Sequence, residues 1–132
     1  MAKQLWKRKP GMDLRITKPR KPEWLAQNLD NPFRGWDGAE HIPAAAAKKA
    51  ANQYRKTRSQ LMKLAAEPGE GAHAQALDAV AAYTQTFNKM GFIETEERDE
   101  IYMALRDILD ALPGDALQKN ALIEKFDHVR NF

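Results

Sequence analysis

The chain has 132 residues, 21 Lys+Arg against 18 Asp+Glu, a formal net charge of +3 and no cysteine. The missing thiols exclude a disulfide framework, a zinc-thiolate site and a cysteine nucleophile, and no apolar run approaches the roughly 20 residues that span a bilayer. The small net charge conceals a division: residues 1–63 carry 15 basic and 5 acidic side chains, and residues 64–132 carry 6 basic and 13 acidic.

The first nine residues are basic with no apolar stretch behind them, which is not the pattern of a secretory signal. The expectation is a soluble cytoplasmic protein of one domain, long enough to bury one core. Residues 1–42 read as a basic, irregular N-terminal arm, and residues 43–132 as a helical bundle. Five of the seven prolines and all three tryptophans fall in the first 43 residues, and proline at that density opposes both helix and ladder. Residues 1–10 read as mobile. Residues 12–16 alternate apolar and polar, as a short extended stretch does. Residues 23–29 follow Pro22 with two turns of helix. Residues 31–38 (NPFRGWDG) combine turn formers with two large aromatics. Residues 12–42 are thus expected to wrap onto the body through Trp24, Phe33 and Trp36.

From Pro43 the apolar period becomes helical. The first helix is expected over residues 43–66, with Ala47, Ala50, Ala51, Tyr54, Leu61, Leu64 and Ala65 on its buried face. The EPGEG run at 67–71 stops it. A second helix reads from 72 to 90 with Leu77, Val80, Ala81, Thr84 and Phe87 inward, and Gly91 is expected as its left-handed C-cap. Thr95 is expected to cap a third helix with Ile101, Leu105, Ile108, Leu109 and Leu112 inward, ended by Pro113 and Gly114. Asp115 with Gln118 reads as a capping-box variant opening a fourth, with Leu117, Ala121, Leu122, Phe126 and Val129 inward. Short connections favour antiparallel neighbours. The fold expected is all-α: a small antiparallel bundle of about four helices with the irregular Pro/Trp-rich segment packed against it.

The chemistry legible in the residues is sparse. The three histidines, His41, His73 and His128, lie in different elements, and no HExxH or calcium-loop spacing occurs. Ser59 is the only serine and has no nucleophile elbow around it. A phosphate loop is absent as well, so no catalytic residue, cofactor or metal site is assigned and the chain reads as non-enzymatic. Residues 94–100 hold five acids in seven positions, Glu94, Glu96, Glu97 and Glu100 among them. At a helix N-terminus acids are favoured by the dipole, with a partner-binding patch as the functional alternative.

The basic half offers Lys7, Arg8 and Lys9 beside Trp6, then Lys18, Arg20 and Lys21 before Trp24. In the first helix Lys49, Lys56 and Lys63 recur every seven residues, which aligns them along one stripe. Its alanine-rich apolar face is too weak for membrane insertion. The partner expected is a protein, engaged by aromatic and charge-complementary contacts through Trp6, Phe33, Trp36, the basic residues named and the Glu94–Glu100 acids. Such a module would be of the adaptor, inhibitor, antitoxin or toxin-immunity type. Homo-oligomerisation through the basic and acidic halves is one form of that reading. The alternative is a nucleic-acid accessory protein using the basic arm and first helix, since cations interleaved with stackable rings are its footprint.

Overall fold

The computed structural model describes residues 30–132. The expectations placed on residues 1–29 lie outside them: the mobile start, the extended stretch, the short helix after Pro22, the Trp24 anchor, and the contacts of Trp6, Lys7, Arg8, Lys9, Lys18, Arg20 and Lys21. The described residues are all-helical. A 3-10 turn at Arg34–Trp36 precedes four helices, α1 (Ala44–Ala66), α2 (Ala72–Asn88), α3 (Thr95–Ala111) and α4 (Lys119–Val129). None of them is long and apolar enough to cross a membrane. The chain divides into two compact units, Met1–Ala51 and Asn52–Phe132.

In the first unit the turn chemistry of residues 31–38 is realised as expected. The Asn31 side chain accepts a hydrogen bond from Phe33 N–H at 2.9 Å, an Asx turn that bends the chain after it. Gly38, with φ of 86°, takes the left-handed conformation that a side chain would resist. Phe33 and Trp36 stack edge-on with ring centroids 4.9 Å apart, and both are fully buried. Pro43 lacks an N–H but its carbonyl accepts from Ala46 and Ala47, so it starts α1 at no loss.

The second unit holds the last four turns of α1 together with α2, α3 and α4. Gly71, at φ 81°, turns the chain into α2. The direction of each helix follows from side-chain bonds between them. Thr86 near the end of α2 donates to Gln53 Oε1 on α1 at 2.8 Å, and Gln53 in turn donates to the buried Thr57. Tyr83 on α2 donates to the Ile101 carbonyl on α3 at 2.6 Å. At one end of α2, His73 donates from Nδ1 to the Leu117 carbonyl just before α4, at 2.9 Å. At the other, Asn88 donates to Val129 O and accepts from Asn131 N–H. Sequential helices are therefore antiparallel, and α2 and α4, two apart in sequence, pack side by side in parallel. The core between them is built on Tyr83, Phe87, Ile101, Leu105, Leu109, Leu122 and Phe126, all buried.

Four local expectations are corrected. The buried face of α2 is rotated from the one expected: Ala76, Ala79 and Tyr83 are buried with Val80, Thr84 and Phe87, while Leu77 and Ala81 are only half-buried. Gly91 is not left-handed, because Lys89 closes α2 in an ordinary helical conformation. The N-cap of α3 is Glu94 and not Thr95; Glu94 and Glu97 close a capping box, in which the Glu97 carboxylate accepts from Glu94 N–H at 3.0 Å. Asp115 opens no helix at its own position. Its carboxylate accepts from Lys119 N–H at 2.9 Å, four residues on, and α4 begins there.

Gln118, the residue before α4, has φ of 60° and is the one non-glycine with positive φ among the described residues. A left-handed residue with a Cβ costs about 1–2 kcal/mol, against about 0.5–1 kcal/mol for the backbone entropy of glycine. Gln118→Gly is therefore expected to raise stability by about 0.5–1 kcal/mol in urea unfolding at unchanged m-value.

Candidate functional site

α1 is a helix of one sign. It carries Lys48, Lys49, Arg55, Lys56, Arg58 and Lys63 and no acidic residue. All six are exposed, and Lys48, Lys49, Lys56, Arg58 and Lys63 make no ion pair among the described residues, whose two surface pairs are Arg106–Asp110 and Arg130–Asp127. Lys49 and Lys56, expected as partner-binding, thus stand on the surface with Lys63 in the same stripe.

Between α1 and α2 of the second unit runs an open groove of about 420 Å³. Lys56, Lys63 and Leu64 form its α1 wall, and Asp78, Ala79 and Ala82 its α2 wall. Its cause is a difference in side-chain length. The alanines of α2 end at Cβ, whereas the lysines and Leu64 of α1 extend past them, so facing surfaces do not meet. The result is a small apolar floor with two cations along one rim, and Gln60 and Gln75 adding amide donors and acceptors.

The acidic segment divides. Glu94 is exposed, Glu96 and Glu100 are half-buried, and Glu97 is fully buried in the capping box. Glu97 is thereby withdrawn from the patch proposed for it: its carboxylate satisfies a helix-end N–H that would otherwise lack a partner. Phe33 and Trp36 are withdrawn in the same way. Their rings are buried, which fits packing anchors and leaves no aromatic surface for a partner.

Flexible ammonium groups beside an apolar floor attract a carboxylate-bearing amphipathic surface without demanding a fixed angle. No group of three His, Asp or Glu side chains among the described residues is placed to share a metal ion. Away from the groove, burial, followed by the nearby Tyr54, holds the Tyr83 hydroxyl well above the usual tyrosine range.

The lysine stripe is readable from spacing alone. The groove is not, since Asp78, Ala79 and Ala82 acquire their role only when α2 lies beside α1. The small side chains of Ala79 and Ala82 are its one trace in the sequence. The class defined by the described residues is a small all-helical bundle with a cationic groove between two of its helices. No protein-family model, no curated protein and no solved structure matches it.

Proposed function

We propose that the chain is a non-enzymatic protein-binding module, of adaptor, inhibitor or antitoxin type, that engages an acidic surface of its partner through the cationic face of α1. The observation that carries this reading is the acid-free helix whose five exposed cations make no ion pair among the described residues, two of them, Lys56 and Lys63, lying along a groove with an apolar floor. Unpaired like charges on one face repel one another, and a complementary partner relieves that repulsion while steering association.

A second reading, nucleic-acid binding, draws on the same acid-free helix. Favouring protein is the character of the exposed apolar groups. Among the described residues these are Met62 and Met103, at 38% and 51% exposure, and no aromatic ring stands equally open for bases to stack on.

The test is capture from native lysate by the full chain and by K49E/K56E/K63E, each with and without nuclease. The expected result is a stoichiometric protein that survives nuclease and is lost with the triple variant. Capture abolished by nuclease moves the assignment to nucleic acid, and capture unchanged in the variant removes α1 from the function.

A further inference from the structure

The outward face of α3 is the counterpart of the groove. Met103 is the most exposed large apolar side chain among the described residues, at 51%. Asp99 and Asp107 lie one turn before and one turn after it, both exposed and both without an ion pair among the described residues. At 3.6 residues per turn the two carboxylates sit about 40° to either side of Met103 and about 12 Å apart along the axis. Lys56 and Lys63 on the groove rim are seven residues apart, or about 10.5 Å. Two acids about 12 Å apart beside one apolar side chain thus match two cations about 10.5 Å apart along one rim of an apolar floor, within the reach of a lysine side chain.

We infer that the groove between α1 and α2 receives α3 of a second copy of this chain, with Met103 on the Leu64–Ala79 floor and Asp99 and Asp107 paired to Lys56 and Lys63. This rests on the reading of α1 as a protein-docking face and names the partner. The 29 N-terminal residues suit the groove poorly, because they carry eight bases against two acids and would add cations to a cationic rim. The contact joins two different surfaces, so a pair of copies keeps one groove and one α3 face free. Assembly by such a contact continues head to tail unless the rotation closes a ring.

Sedimentation of the full chain tests this directly. The average mass is expected to climb with protein concentration at about 0.05 M salt and to fall to the monomer at about 1 M, where the screening length shrinks to about 3 Å. K56Q/K63Q and D99N/D107N are each expected to remain monomeric, as all four positions are exposed and their fold is checked by helical circular dichroism. Their equimolar mixture retains one intact pairing, the groove of the second with the α3 face of the first, and is expected to stop at a dimer. Glu124→Gln, which removes a charge from the exposed side of α4, should leave association within about twofold of wild type, since a lone surface charge contributes little.

A wild-type chain that stays monomeric at low salt, or variants that associate as wild type does, overturns the inference. So does a mixture that fails to dimerise. A monomeric wild type whose lysate capture is still lost in K49E/K56E/K63E defeats the self-pairing alone and leaves the docking face assigned to another acidic protein. Self-association that persists while lysate capture fails separates the two in the opposite direction.

Discussion

Replacing Phe126 with alanine is expected to cost about 3–5 kcal/mol of unfolding free energy, the range for deleting a buried aromatic ring. Phe126 is 1% exposed. Its ring centroid lies 6.5 Å from Tyr83, 6.1 Å from Tyr102 and 6.0 Å from Phe132, so one side chain of α4 meets α2, α3 and the segment after α4. Truncation removes the ring's own burial and leaves a cavity that three neighbouring rings cannot fill without leaving their rotamers. With total stability of a domain about 5–15 kcal/mol, a fifth or more is at stake. The melting temperature should fall by roughly 10–20 °C. Phe132→Ala is the control: that ring is half-exposed, and its loss should cost no more than about 1–1.5 kcal/mol. Equal effects from the two would show that the ring cluster is not centred on Phe126.

Tyr83→Phe should lose its effect as pH rises. At pH 7 the variant loses a buried hydrogen bond, Tyr83 to the Ile101 carbonyl at 2.6 Å, and with it about 0.5–1.5 kcal/mol. In the unfolded chain the phenol ionises near pH 10. In the folded chain burial keeps it protonated well above that value. A raised folded-state pKa favours the protonated form, so the contribution is complete below pH 10 and shrinks above it, because only the unfolded chain releases the proton. The slope is about 1.4 kcal/mol per pH unit for one group. Wild type and variant should therefore be separated at pH 7 to 9 and converge about one unit above pH 10. Urea unfolding of both proteins at pH 7, 9, 10 and 11 measures this. Curves that stay parallel through pH 11 would mean that the hydroxyl reaches water in the folded state.

These two side chains also mark where the sequence is legible. Ile101, Leu105, Ile108, Leu109 and Leu112 are all buried as expected, because aliphatic side chains at the helical period have no other stable placement. Tyr83 escaped that reasoning. A phenol can be buried only where an acceptor waits for it, and the acceptor here is a carbonyl 18 residues away. Counting Leu77 and Ala81 instead rotated the inferred face of α2. Glu97 was hidden by its neighbours: in a run of five acids it looks like one more surface charge, and only its place three residues after Glu94 makes it a cap. Gln118 gave no signal either, since glutamine is not a residue that composition associates with a left-handed turn. For the candidate site the cations of α1 were visible as a stripe, while the small side chains facing them belong to a helix whose position only folding supplies.

The parallel pairing of α2 with α4 bears on how the second unit assembles. Its ties join residues 41 to 44 positions apart, His73 with Leu117 and Asn88 with Val129. The chain must run out along α3 and return before either can form, so the entropy of closing that loop is met late. α4 has only 11 residues, too few to hold a helix alone in water. Its order is thus conditional on a platform of α2 and α3 already in place, and it contributes to unfolding barriers more than to folding rates. α4 acts as a clasp on the unit: the last piece to close and the first through which the structure can open.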